Sequence, residues 1–331
     1  MLRAVACAAA LLLAACSQSA ADAPIAEQWR RLDLNVTQVA FGAESVGQLR
    51  FRGGLHLQGA QEGVFGGLSG LEVLEGGRLV AITDDGRWFD ARLNLDEAGS
   101  LIGLSDPRIA LMRDADGNPF ENKAAGDSEG LAQLPDGRFA VSFEQRPRIL
   151  IYDLNRDGPF GAAQRGPRLG ETSRLRRNVG LEALAVTGEG ALLVGAEGVN
   201  RRATPLWVAP LDAAAPAPPR IDYPLTDGFA LTSLDHLPDG GFVAIERFYA
   251  PIIGARARIT RFTEDALSAD DETLPSVERL AEIAAPLAVD NFEGVAAVRA
   301  PDGGVRLYIV SDDNFSARQR TLLLAFDLVG G

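Results

Sequence analysis

A β-propeller of about five four-stranded blades, its ring closed by an N-terminal strand, is the fold this sequence predicts. Three observations carry the prediction. A strand-rich unit returns along the chain at a spacing of roughly 50–60 residues, each return uses the turn chemistry of hairpins, and the last unit is one strand short. The five returns begin at Gly66 (GGLSGLEVL), Asp127 (DSEGLAQL), Val179 (VGLEALAV), Ala230 (ALTSLDHL) and Asp290 (DNFEGVAAV).

Each unit opens with a short strand rich in Leu, Val and Ala. A turn follows, as at Pro135-Asp136-Gly137, Pro238-Asp239-Gly240 and Pro301-Asp302-Gly303, where glycine supplies the positive φ that a hairpin needs. A β-rich run such as RFAVSF or VRLYIV comes next, then a third strand such as RILIYDL, TPLWVAPL or TLLLAFDL. Weaker fourth segments, RLGETSRL and PRIDYPLT, lie between units. The fifth unit stops at its third strand near Leu328, while the strand pair Gly47–Gly59 belongs to no unit, so it is expected to supply the missing strand. Six blades result if Leu32–Leu57 forms a divergent one. A β-sandwich is the competing architecture, and it leaves the period unexplained.

The N-terminus reads differently. Arg3, the small apolar run AVACAAALLLAA and the LAAC ending form a secretory signal peptide over residues 1–15, too short for a retained spanning helix. LAAC resembles a bacterial lipobox, which implies cleavage before Cys16 and lipidation there; an ordinary signal peptide with an incidental cysteine is the alternative. Residues 16–40 then form the lipidated Cys and its tether, and residues 41–331 the propeller domain. Ser17, rather than Asp, fits sorting to an outer membrane, so the chain is expected to be exported and envelope-anchored, facing the periplasm.

Cys7 and Cys16 are the only cysteines, so the domain has no disulfide framework and no thiol chemistry. A net charge of −13 excludes nucleic-acid binding by counterion release, and the membrane contact is left to the lipid. A monomer acting on a small molecule is the expectation.

Aligned on their turns, the units place polar residues in two rows. The first strands begin with Ser69, Glu129, Glu182, Thr232 and Glu293; the second strands end with Asp84, Glu144, Glu197, Glu246 (one residue out of register) and Asp312. Antiparallel pairing puts both rows at one end of the sheet, around the channel mouth. Arginines recur just after them: Arg87, Arg146 and Arg148, Arg201 and Arg202, Arg247 with Arg256 and Arg258, Arg318 and Arg320. Crowded carboxylates need a counter-cation, which arginine or a metal can supply. Oxygen-only donors favour Ca²⁺, with Mg²⁺ as the alternative, over Zn²⁺. The plainer reading is that each Glu and Arg ties strand ends together.

Other candidates are weaker. Ser69 in GLSG stands at a strand start with no helix after it, unlike a nucleophile elbow. His56 and His236, the only histidines, read as structural. Asp114-Ala115-Asp116-Gly117-Asn118 reads as an Asp-Gly turn rather than a calcium loop.

GGLSGLEVL with LVAITDDG, then DSEGLA, GLEALA, and DNFEGVA with LYIVSDDN, resemble the phytase-like domain family ("esterase-like activity of phytase") of exported bacterial proteins, over roughly Gly47 to Leu328. The resemblance implies action on ester or phosphoester substrates through Asp84, Asp85, Glu129, Glu182, Glu293, Asp312 and Asp313. The chain has no DAADDPA-type motif of the calcium-dependent propeller phytases, and Lys123 is its one lysine, so the resemblance does not extend to phytate itself. The resulting expectation is a divalent-metal-dependent hydrolase. Asp84, Asp85, Glu144, Glu182, Glu197, Asp312 and Asp313 would hold the metal, Glu129 or Glu293 would be the general base, and Arg87, Arg146 and Arg318 would neutralise developing charge. The alternative is a non-catalytic lipoprotein whose propeller is a binding platform.

Overall fold

Four strands precede the repeats: β1 (Arg30–Arg31), β2 (Leu34–Gln38), β3 (Ser45–Val46) and β4 (Leu49–Gly59). The repeats then build five antiparallel sheets in the computed structural model, which describes residues 29–61, 63–175, 179–198, 202–226, 228–268, 272–274 and 276–329. The signal peptide (1–15), Cys16, the tether up to residue 28 and Arg201 lie outside the described residues.

Blade one runs outward as β5 (Leu68–Val73), β6 (Arg78–Thr83), β7 (Arg87–Leu95) and β8 (Leu101–Leu111), with β1 added at its edge. Blade two is β9 (Ser128–Gln133), β10 (Phe139–Phe143), β11 (Arg148–Tyr152) and β12 (Gln164–Arg165), preceded by the short helix α1 (Lys123–Gly126). Blade three is β13 (Leu181–Val186), β14 (Leu192–Ala196), β15 (Ala203–Ala209) and β16 (Pro219–Pro224). Blade four is β17 (Ala230–His236), β18 (Phe242–Ala250), β19 (Gly254–Phe262) and β20 (Glu278–Ala284). Blade five is β21 (Asn291–Arg299), β22 (Val305–Asp312) and β23 (Thr321–Leu328), completed by β4, with β2 and β3 beyond.

The inner strands β5, β9, β13, β17 and β21 each neighbour the next, and β21 returns to β5, so the ring has five blades rather than six. Two expectations shift. RLGETSRL is not the fourth strand of blade two, which is the two-residue β12 just before it. Residues 30–40, read from sequence within the tether, contain β1 and β2, paired with β8 and β4.

Hydrophobic side chains fill the gaps between blades, because each sheet presents an apolar face to both neighbours. Leu71, Phe89, Ala296, Tyr308 and Leu323 pack together between blades one and five, and Trp88, Val141 and Phe139 between one and two. Glycines set how closely the inner strands approach. A Cβ at Gly130 would stand 2.8 Å from the carbonyl oxygen of Glu182, and one at Gly294 would stand 2.8 Å from that of Ser69. The Glu-Gly pairs of the sequence therefore divide their labour: glycine lets the strands converge, and glutamate faces the axis.

The ring closes where β4 pairs with β23, joining residues near the two ends of the domain. Leu55 and Leu57 of β4 are buried in the cluster between blades one and five. Asp327 of β23 receives Arg306 of β22 at 2.8 Å and Arg52 of β4 at 3.0 Å, so an ionic clamp crosses the seam. Leu55→Ala is expected to cost about 2–4 kcal/mol in urea unfolding. A loss below about 1 kcal/mol would mean that closure does not depend on β4.

Candidate functional site

All five inner hairpins break register at the same place. Pairing skips from Leu68 to Leu71, Ser128 to Leu131, Leu181 to Ala183, Leu231 to Ser233 and Phe292 to Gly294. The skipped residues include Ser69, Glu129, Glu182, Thr232 and Glu293, the first row read from the sequence. A bulge releases a residue from the ladder and re-aims its side chain. Beside this row stand Asp84, Glu144, Glu197, Arg247 and Asp312, each one residue past the partner of the last residue paired before the break. Arg247, not Glu246, holds the fourth position, because Leu231 pairs with Glu246 as Leu181 pairs with Ala196. Strand alternation turns Glu246 between blades, where it is buried and accepts from the Tyr223 hydroxyl at 2.8 Å.

The two rows, apart from Thr232, line a cavity of about 350 Å³ at the channel mouth. Among the described residues its walls carry eight carboxylates, Asp84, Asp127, Glu129, Glu144, Glu182, Glu197, Glu293 and Asp312, against two cations, Lys123 and Arg247. Arg247 donates to Glu197 at 2.9 Å and Asn291 at 2.6 Å, and also to Glu293, tying blades three, four and five. Lys123, entering from α1, donates to Asp84 at 2.7 Å and Asp127 at 2.8 Å, tying blade one to blade two.

Burial pushes every shifted acid here upward. Glu144 rises to about 8 through burial and the Asp127 carboxylate beside it. Burial and the nearby Glu293 carry Asp312 to about 8. Glu293 reaches about 7, since burial outweighs the opposing charge of Arg247. Glu129 and Glu182 are held well above the ordinary carboxylate range by burial and by their acidic neighbours.

Ligand oxygens of Asp127, Glu129 and Glu144 lie within 4.8 Å of one another. Opposite oxygens around a Ca²⁺ ion, each at 2.3–2.6 Å, stand up to about 5 Å apart, so the triplet matches a hard cation in size and donor type. Asp127 is 1% exposed on its side chain, and its Oδ2 is buried with no hydrogen-bond partner, as is Oδ1 of Asp84. Such orphaned acceptors are costly, and a cation would satisfy them.

The structure thus gathers Asp84, Glu129, Glu144, Glu182, Glu197, Glu293 and Asp312, and excludes the rest of the sequence-read set from the cavity lining. Asp85 turns away to Thr83 at 2.6 Å and Arg87 at 2.9 Å. Asp313 accepts from the backbone N–H groups of Gly67 and Phe315 at 3.1 and 3.0 Å. Arg87 is committed to Asp85 and to the Val64 carbonyl at 3.0 Å. Arg146 lines a neighbouring cavity with Arg148, Asp114 and Phe120. Arg318 is exposed on the loop before β23. Among the described arginines of this set, only Arg247, held within β18, reaches the axis. Ser69 lines the cavity but donates to the Ser128 carbonyl at 2.7 Å, while neither histidine reaches it. Asp114 accepts from Asp116 and Asn118 N–H, both at 2.9 Å, as its turn reading requires.

Sequence reasoning missed Asp127 and Lys123. Asp127 precedes the aligned row by two residues, at the position that Gly67 holds in blade one and Gly180 in blade three, so no repeated acid marks it. The signal for Lys123 was its being the sole lysine of the chain.

A carboxyl whose folded pKa exceeds its unfolded value stabilises the fold fully below the unfolded value, and that stabilisation is lost as pH rises through the folded one. In EDTA, the melting temperature should therefore fall between about pH 5 and about pH 8.5, by at least roughly 3 °C. The window follows from Glu293 near 7 and Glu144 and Asp312 near 8. A melting temperature that rises across that window in calorimetry would contradict this electrostatic picture.

No curated protein matches the chain. Among solved structures, the PQQ-bound aldose sugar dehydrogenase of Streptomyces coelicolor is 14% identical with a TM-score of 0.42, over 89% of this chain and 99% of that one. The holo PQQ domain of a Coprinopsis cinerea pyranose dehydrogenase is 10% identical with a TM-score of 0.45, over 90% and 98%. At these identities and scores neither likeness speaks to substrate or cofactor here. The family described as "Phytase-like: Esterase-like activity of phytase" matches residues 63–315, a span that holds every residue lining the acidic cavity. The chain belongs to this phytase-like family.

Proposed function

We propose that this protein is an exported hydrolase of small ester or phosphoester substrates that uses a divalent cation, Ca²⁺ first and Mg²⁺ second, in the acidic channel. The observation that carries the reading is the oxygen triplet of Asp127, Glu129 and Glu144, with the buried Oδ2 of Asp127 left unpartnered. Those three residues would hold the cation, which supplies positive charge toward substrate oxygens and acidifies a bound water. In this reading the chain is a monomer without nucleic-acid partners, anchored through Cys16 to the outer membrane on its periplasmic side.

The chain's own groups supply the rest. Glu293, near 7, is suited to take a proton from water, because Arg247 and Asn291 fix one of its oxygens by hydrogen bonds. Among the described residues, Arg247 and Lys123 are the cavity's fixed positive charges, able to meet a substrate's anionic oxygens in place of Arg87, Arg146 and Arg318. Glu182, Glu197 and Asp312 complete the wall and hold protons or share the cation's field.

A second reading, a non-catalytic binding platform, is favoured by one observation. Arg247 already neutralises part of the ring by bridging Glu197, Glu293 and Asn291 across three blades. Under it the acids would be structural glue or a seat for a cationic ligand.

Two experiments separate these. Ca²⁺ added to EDTA-treated protein should raise the melting temperature saturably, by about 2.7 kcal/mol of stability at a hundredfold excess over Kd. Glu129→Gln should remove that response; a flat response in the wild type leaves the platform as the better reading. In a screen of aryl esters and phosphoesters, Glu293→Gln should lower kcat by about 10²–10⁴ with folding intact. An unchanged kcat removes Glu293 as the base.

A further inference from the structure

We propose that Lys123 is the resident counter-cation of the acidic channel and competes with a divalent cation there, thereby setting how tightly the site holds metal. This rests on the metal-site reading above.

The geometry is particular. Lys123 opens α1, whose start is capped by Asn122 accepting from Ala125 N–H at 3.1 Å, so the helix delivers the ammonium to a defined place. Its side chain is 55% exposed, whereas those of Asp84 and Asp127 are 16% and 1% exposed. The ammonium therefore meets the carboxylates from the solvent side. It takes one oxygen of each, Asp84 Oδ2 and Asp127 Oδ1, and also the Asp84 carbonyl at 3.1 Å. The second oxygens, Asp84 Oδ1 and Asp127 Oδ2, are buried without hydrogen-bond partners.

One monovalent group thus half-satisfies two buried carboxylates in a cavity with, among the described residues, six further acids and one further cation. A divalent ion on the Asp127, Glu129 and Glu144 oxygens would share the Asp127 carboxylate with the ammonium. Two positive charges on one buried carboxylate repel where screening is weakest. The flexible, half-exposed lysine can swing out to water, while the carboxylates cannot. Monovalent ions bring no more charge than the ammonium they would displace, so the device also favours divalent over monovalent cations.

The test is calorimetric titration of CaCl₂ into the purified, EDTA-stripped protein, comparing wild type with Lys123→Gln and Lys123→Arg. The expected result is a Kd about tenfold or more tighter in Lys123→Gln, with Lys123→Arg staying near the wild type. A Kd in Lys123→Gln that is unchanged or weaker, with the wild type still binding, overturns the competition and leaves the metal reading standing. Binding by Lys123→Gln alone supports the competition and removes metal dependence from the natural protein. Binding by neither removes both. Should Lys123→Gln unfold without metal, recovery of its circular dichroism in CaCl₂ supports the exchange of ammonium for cation; no recovery overturns it.

Discussion

Five inner strands sharing one axis is the constraint on which the rest of this molecule depends. Whatever stands at the start of each inner strand is brought together at the mouth of a narrow channel, whether or not its charges tolerate company. The close approach needs glycine at Gly130 and Gly294, where a side chain would strike the backbone of the neighbouring blade. A bulge at each of the five positions then frees the adjoining residue from the ladder. Packing and chemistry are thus written into adjacent residues, glycine for the ring and glutamate for the channel.

The electrostatic consequence is lopsided. Arg247 serves the side of the ring formed by blades three to five, with hydrogen bonds to Glu197, Asn291 and Glu293. On the side of blades one and two, Lys123 reaches only one oxygen each of Asp84 and Asp127 and leaves the others unpartnered. Burial raises the acids on both sides, so part of the charge is held off by protons near neutral pH. The cation-sized triplet lies on the underserved side, next to Lys123. The division gives the two halves of the cavity different roles: one braced by a guanidinium, the other open to an ion.

Closure sustains this arrangement. An open ring of five sheets would leave two edges and let the inner strands splay, which would disperse the carboxylates. β4 prevents it by completing blade five from the opposite end of the chain, and Arg52, Arg306 and Asp327 pin the seam. The chemistry at the channel mouth is therefore tied to a strand that contributes no residue to it.

The sequence by itself determined the architecture, because a propeller repeats its local rules: strand, Pro-Asp-Gly turn, strand, at a steady period, with a spare strand pair where the last blade falls short. It also determined most of the acidic wall, since Glu129, Glu182 and Glu293 sit at one repeat position and Asp84, Glu144, Glu197 and Asp312 at another. Only the tertiary structure decided which neighbour of each acid faces the axis. A one-residue step reverses a strand side chain, so Arg247 replaced Glu246, while Asp85 and Asp313, just beyond strand ends, are held by Thr83 and Arg87 and by backbone N–H groups. Only it brought in Lys123, because α1 lies between blades and obeys no repeat, and Asp127, whose repeat position is glycine in blades one and three. Periodic residues can be read from their spacing; residues delivered by a connection are placed by packing alone.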